Sequence, residues 1–182
     1  MNEVPRTLAL GSPAPDFALP GVDGRTYRLA DFADAPTLCI VVTCNHCPVA
    51  IAYEDRLVAL AEEARARCAI VAVNPNDATT HPGDSFEAMK VRAKEKGFPF
   101  PYLRDESQAL ARALGAQCTP DPFLFDRERK LVYVGRIDDS HRDPHKVTQR
   151  DLWRAIEAAA AGRSIDFDVK PAVGCSIKWK RG

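Results

Sequence analysis

The stretch "TCNHCPVA", Thr43 to Ala50, sets two cysteines three positions apart between an apolar run and a segment of helical spacing. Ahead of it, "TLCIVVT" is continuous, apolar and rich in β-branched residues, the pattern of a central strand buried on both faces. Behind it, Ile51, Leu57, Val58, Leu60, Ala61 and Ala64 recur among charges, which predicts a helix from Pro48 to Arg67. Cys44 and Cys47 therefore fall where a buried strand hands over to a helix. The free N–H groups and positive dipole end of a helix start favour a thiolate, the attacking species in disulfide exchange. Two intervening residues let the second thiol close onto the first. His46, when protonated, places a cation in the same turn. Pro48 is tolerated because first-turn N–H groups have no intrahelical acceptor. The expected roles are attack by Cys44 and resolution by Cys47, with Thr43, Asn45 and His46 in support.

Other readings of the pair are a metal site and two inert core thiols. Structural zinc needs about four ligands, and there is no second C-x-x-C. His141 and His145 have H-x3-H spacing but lie far along the chain in a polar, proline-broken loop. Covalent haem attachment wants His directly after the second cysteine, where this chain has Pro48. Buried free cysteine is common, so the core-thiol reading stands beside the redox one. No metal is expected.

The rest of the chain narrows the class. Its 182 residues suit one domain over 1–182, with a lead-in at 1–12 and a tail at 163–182. Basic and acidic side chains balance at 25 each, so no global field attracts nucleic acid or an anionic membrane. No apolar run approaches the roughly 20 residues of a spanning helix. Glu3 stands where a secretory signal would be basic, which leads to the expectation of a cytoplasmic protein. In a reducing compartment a close cysteine pair is more often catalytic or metal-binding than a structural staple.

Asp23-Gly24 within "VDGRTYRL" predicts a hairpin. "CAIVAVN" reads as a second buried strand and "PNDATTHPGD" as a solvated loop, with His81 its residue of interest. "SFEAMKVRAKEKG" is a helix capped at Asp84 or Ser85 and stopped at Gly97. "ESQALARALG" is another helix, and "PFLFD", "RERK", "LVYVGRI" form a strand, turn and strand. "IDDSHRDPHK" reads as solvated loop. "TQRDLWRAIEAAAAG" is a last helix, with Thr148 as its expected cap and Gly162 as its end. The tail shows no period, and "IKWKRG" reads as a solvated basic end. Cys39 and Cys68 read as core, and Trp153 and Trp179 as packing residues. The order is that of an α/β protein with a mixed central sheet covered on both faces.

With these motifs in place, the chain resembles the thioredoxin-like superfamily, in its peroxiredoxin-like (AhpC/TSA-related redoxin) branch. "GSPAPDFALPGVDGRTYRLADF" resembles the N-terminal extension of peroxiredoxins, and "CNHCP" with "GCSIKW" (Gly174 to Trp179) resembles a small group within that branch. The His before the second cysteine is similar to the motif of DsbA-type oxidases. "LGAQCTPDPFLFD" resembles the segment whose cis-proline faces the active cysteines. The resemblance thus implies a cis Pro120, with the Thr119 backbone free to pair with an extended substrate. Two departures stand out. Neither Cys44 nor Cys47 has Thr three positions before it, as a peroxidatic cysteine would. The buried Asp that thioredoxin keeps six residues before its first cysteine is Leu38 here, so His46, water or a loop carboxylate would have to accept the proton.

The expectation is a thiol-disulfide oxidoreductase that needs no cofactor, acts on a protein or small-molecule disulfide, and draws electrons from thioredoxin or glutathione. The alternatives are a peroxiredoxin-like thiol peroxidase and a non-enzymatic redox-sensing or binding module. Cys118, two residues before Pro120, and Cys175 in the tail are accessory thiols, open to a bridge with each other or to a relay from Cys44/Cys47 to Cys175.

Overall fold

The computed structural model describes residues 7–181; Glu3 and the first half of the 1–12 lead-in lie outside the described residues. The strands are β1 (Ala18–Pro20), β2 (Thr26–Arg28), β3 (Leu38–Val42), β4 (Ala69–Asn74), β5 (Tyr102–Arg104), β6 (Cys118–Thr119), β7 (Asp121–Phe125), β8 (Leu131–Val134) and β9 (Cys175–Ser176). The helices are α1 (Pro48–Glu63), α2 (Phe86–Lys96), α3 (Ala109–Leu114) and α4 (Asp151–Ala160).

The central sheet runs β5-β4-β3-β7-β8. Its first three strands are parallel, and β7 and β8 run antiparallel to their neighbours. Every residue of β3 is buried, as a continuous apolar run requires. Cys39 and Val41 face one core with Tyr53, Leu57 and Leu60 of α1 and Leu152 and Ile156 of α4. Leu38, Ile40 and Val42 face the other, with Leu110 and Leu114 of α3 and Phe17 and Tyr27 of the N-terminal hairpin. That hairpin turns at Gly24, whose φ of 85° suits glycine.

β3 and β4 are adjacent and parallel, so their carboxyl ends open side by side at one edge of the sheet. The cysteine turn follows one and the 75–84 loop the other. This placement brings the two loops together, as the carboxyl ends of parallel strands commonly do at binding sites. Ser85 caps α2 by accepting the Ala88 N–H, and Gly97 ends that helix at φ 61°.

Several local expectations change. Helix α1 stops at Glu63 rather than Arg67, and Ile51 points outward at 39% exposure. Thr148 does not cap α4; the helix starts at Asp151, and the Thr148 N–H and hydroxyl both donate to Asp139. Asp151 is buried and accepts from Arg136 Nε at 2.5 Å. Asp138, in a stretch read as solvated, is buried and accepts from Tyr53 Oη at 2.9 Å and Arg56 Nη1 at 2.7 Å. No described helix is long and apolar enough to cross a membrane.

Leu38, fully buried in β3, makes the fold's dependence on two-sided burial measurable. Leu38→Ala is expected to cost about 2–5 kcal/mol through lost transfer energy and a residual cavity. Urea unfolding with an unchanged m-value checks this.

Candidate active site

Cys47 is the N-cap of α1, with extended φ/ψ of −69° and 123°, and Pro48 follows in the first turn. Cys44 sits just past β3, where the Thr43 N–H adds one more rung to the ladder by donating to Val73 O at 2.8 Å. Both sulfurs are buried, Cys44 at 3% exposure and Cys47 at 0%. They face Thr119: its hydroxyl lies 3.3 Å from Cys44 Sγ and its carbonyl oxygen 3.2 Å from Cys47 Sγ. The Thr119–Pro120 bond is cis.

A third sulfur completes the cluster. Cys175 Sγ lies 2.6 Å from Cys47 Sγ. It comes from β9, which pairs antiparallel with β6 so that Thr119 stands opposite Cys175 and Cys118 opposite Ser176. All six cysteines are free thiols. Cys118 does not meet Cys175 in a bridge; its sulfur turns toward the Pro120 carbonyl at 3.8 Å. The Thr119 backbone, expected to be open for a substrate, is already paired with the chain's own tail.

The turn is held by a carboxylate the sequence did not single out beyond a helix cap. Asp84 is fully buried. It accepts from the Asn45 N–H at 2.6 Å, Asn74 Nδ2 at 3.1 Å and Asn76 Nδ2 at 2.9 Å, and it pairs with His46 Nδ1. A carboxylate only accepts, so His46 donates from Nδ1. Asn45 adds its own ties, donating to Gly83 O at 2.9 Å and accepting from the buried Tyr102 hydroxyl at 2.7 Å. His81 stacks on His46 with ring centroids 4.8 Å apart. The 75–84 loop is therefore packed against the cysteine turn rather than solvated. The available signal was the run of Asn74 closing a buried strand and Asn76, Asp77 and Asp84 following it, amide donors and carboxylate acceptors close enough to pair with one another.

The electrostatics follow from these partners. Cys44 and Cys47 share a hydrogen bond and titrate as a pair, not as separate sites. That bond, together with burial and the Asp84 charge, raises Cys44 well above an ordinary thiol, against the Thr119 hydroxyl. The same bond lowers Cys47, aided by the Cys175 thiol and the Ala50 N–H and opposed by burial. Burial first, then the bond to Cys47, raises Cys175. With the tail docked, the partners of the three sulfurs push Cys47 toward the thiolate and push Cys44 and Cys175 toward the thiol, while the Thr119 carbonyl beside Cys47 works against its charge. The expected support of a Cys44 thiolate by His46 meets a ring whose Nδ1 is bonded to Asp84. The His46 ring is turned to Asp84 and stacked on His81.

Cys44, His46 and Asp84 place one ligand atom each within 4.8 Å of one another, the set among the described residues arranged as metal ligands would be. Both Asp84 oxygens already accept hydrogen bonds, so an ion would have to displace them. Cys39 and Cys68 are core thiols pushed upward by burial, Cys68 to about 11. His141 and His145 stay apart from the cluster. Trp153 packs on one core, and Trp179 packs on the other beneath the Arg112 guanidinium.

A mixed sheet with a C-x-x-C at the start of α1, facing a cis-proline, defines a thioredoxin-like protein. Residues 10–134 match the model of the AhpC/TSA family, and the chain belongs to that family. It is similar to a crystal structure of a hypothetical protein from Sinorhizobium meliloti 1021, at 40% identity over 97% of this chain and 98% of that one, TM-score 0.92. It is also similar to an uncharacterized conserved protein from Geobacillus kaustophilus, at 43% identity over 100% and 95%, TM-score 0.90. Thiol-disulfide oxidoreductase ResA of Geobacillus thermodenitrificans (strain NG80-2) is 26% identical over 129 residues, 70% of this chain and 69% of that protein. Peroxidoxin BcpB of Mycobacterium tuberculosis shares the fold at 20% identity over 85% and 98%, TM-score 0.63.

Two substitutions test the site's electrostatics. Asp84→Asn removes a negative charge close to Cys44. It is expected to make Cys44 easier to ionise, lowering the higher of the pair's two thiol pKa values by about one unit, and to cost about 1–3 kcal/mol of stability. Ultraviolet thiolate absorbance against pH and urea unfolding read these two effects. Asp121, beside Pro120, is raised to about 6 by burial, against the Gln117 and Cys118 N–H groups. Its folded pKa lies above its unfolded one, so its contribution to stability is full below about pH 4. That contribution falls through about pH 6 by about 3 kcal/mol. Asp121→Asn should flatten this slope in unfolding curves measured across that range.

Proposed function

We propose that the protein is a thiol-disulfide oxidoreductase whose working couple is Cys44 and Cys47. The observation that carries this reading is the pair at the start of α1 with both sulfurs facing Thr119 of the cis Thr119–Pro120 bond. The similarity to ResA supports the same class of reaction. Cys44 is the attacking sulfur. Cys47 is fully buried and lies against Cys175 and the Thr119 carbonyl, whereas Cys44 keeps 3% exposure and has the Thr119 hydroxyl beside it, a donor suited to a thiolate. When Cys175 withdraws, Cys47 loses a donor. The Thr119 hydroxyl then favours a Cys44 thiolate, and its carbonyl favours a protonated Cys47.

The electrons balance without an organic cofactor. Cys44 attacks one sulfur of a substrate disulfide, that S–S bond breaks, and the leaving thiolate takes the proton held by Cys47. The Cys47 thiolate then attacks Cys44 in the mixed disulfide, releasing the second substrate thiolate to be protonated by solvent. The Cys44–Cys47 disulfide is returned to two thiols by a donor dithiol such as thioredoxin, or by two glutathiones, in a cytoplasmic setting. Thr119–Pro120 holds an extended substrate segment once the tail has left that edge.

A second reading, thiol peroxidase, draws on the family and on the Thr119 hydroxyl beside Cys44. Splitting a peroxide O–O bond develops charge on the leaving oxygen, and a preorganised cation stabilises it best. No cation hydrogen-bonds Cys44 among the described residues, and the Asp84 carboxylate acts against a charge there. Peroxide should therefore oxidise Cys44 slowly.

Cys47→Ser should accumulate mixed disulfides at Cys44, and Cys44→Ser should lose disulfide reduction, by about 10³-fold or more as expected for a lost nucleophile. Mass spectrometry of trapped adducts and stopped-flow peroxide consumption check these. Adducts forming on Cys47 in the Cys44→Ser protein at the wild-type rate would reverse the roles.

A further inference from the structure

The tail is built into the site. Ile177 is buried, the Lys178 carbonyl accepts from the Asp77 N–H at 2.8 Å and Gln108 Nε2 at 3.0 Å, and the Lys178 N–H donates to Asn76 Oδ1 at 2.9 Å. The Lys180 N–H donates to Gln108 Oε1 at 2.9 Å. Gln108 is itself buried and held at φ 63°, a backbone conformation that costs a non-glycine residue energy. Gly174 lets the strand approach, since a Cβ there would sit 2.1 Å from the Thr119 carbonyl oxygen and 2.6 Å from its carbon. Several independent contacts thus set one extended strand on the Thr119 edge, with its cysteine on Cys47. The tail takes the strand place along Thr119 that an extended substrate segment would use, with its cysteine against Cys47 rather than Cys44.

We propose that Cys175 is a third redox thiol, carried on a tethered strand that acts as an internal substrate of the Cys44–Cys47 disulfide. Cys175 attacks Cys47 Sγ. The Cys47–Cys175 bond forms, the Cys44–Cys47 bond breaks, and the electron pair leaves on Cys44 Sγ, which takes the proton Cys175 gives up. No electrons are gained or lost; the disulfide moves one sulfur along. Cys44 returns to the thiol form, and the oxidised equivalent reaches Cys175, which is half-buried where Cys44 and Cys47 are buried. A donor thiol that cannot reach the inner pair can reach this sulfur. The same bond pins the tail to Thr119 and shuts that edge to other segments until it is reduced.

The inference rests on Cys44 and Cys47 being the redox couple, and the test separates the two. Full-length reduced protein is oxidised with one equivalent of diamide, alkylated, and digested with trypsin without reduction. The tryptic peptides of interest span 29–56, which carries Cys44 and Cys47 together with the core thiol Cys39, and 164–178, which carries Cys175, and fragmentation assigns the bonded sulfurs. Wild type should give the two joined through Cys47 and Cys175, and so should Cys44→Ser. Cys175→Ser should hold the disulfide within 29–56. Gly174→Ala, which keeps every thiol but drives the strand off, should lower the joined product about tenfold in favour of the internal disulfide, as lost effective concentration requires. If wild type oxidises only within 29–56 and leaves Cys175 alkylated, the third-thiol inference falls while the couple stands. If none of the three forms a disulfide, both fall. A joined product undiminished in Gly174→Ala overturns the docked strand as the cause of the exchange.

Discussion

The buried Asp84 carboxylate is the contact on which the rest of the site depends. It gathers donors from three places: the Asn45 N–H and His46 ring in the cysteine turn, Asn74 at the end of β4, and Asn76 in the loop beyond. An unpaired carboxylate there would cost several kcal/mol. Four hydrogen bonds, each worth about 1.5–3 kcal/mol to a charged group, offset that only when all the donors are in register. The arrangement is therefore close to all-or-none. The parallel pairing of β3 with β4 puts the turn and the loop within reach, and Asp84 locks them. Ser85, the next residue, starts α2, so the helix begins where the lock ends.

The lock also decides what His46 does. In a C-x-x-C at a helix start, a histidine between the cysteines can give its charge to the thiolate. Here its Nδ1 is committed to Asp84 and its ring to His81, so it serves the turn's shape first. The sulfurs are governed instead by Thr119 and Cys175, residues about seventy and one hundred and thirty positions away in sequence. Thr119 opposes its hydroxyl to one thiol and its carbonyl to the other, a sorting of donor from acceptor that local sequence does not contain.

The tail links this chemistry to the wider fold. It crosses from the Thr119 edge to the 75–84 loop and to Gln108 at the start of α3, bonding each in turn. A strand of two residues has no stability of its own. It persists because Ile177 and Trp179 pack on the core face built by α3 and because its polar groups are satisfied by side chains waiting in those loops.

The sequence by itself determined the strand-then-helix placement of Cys44 and Cys47, the two-sided burial of β3 and β4, the Asp23-Gly24 hairpin, the start of α2 to within Asp84 or Ser85 and its end at Gly97, and the β7–β8 hairpin. These are local or periodic signals, set within a few residues by propensity and burial. Resemblance supplied the cis bond before Pro120. Only the tertiary structure decided the partners of the sulfurs, the burial of Asp84, and the use of the tail. Loop residues with polar side chains look solvated in sequence, because composition cannot tell an Asp that meets water from one that meets four donors. Thr148 misled for the same reason: a capping residue type found a carboxylate nearby before it found a helix. The tail was aperiodic because a two-residue strand is too short to show a period, so its pairing with Thr119 could be read only once the chain had folded back on itself.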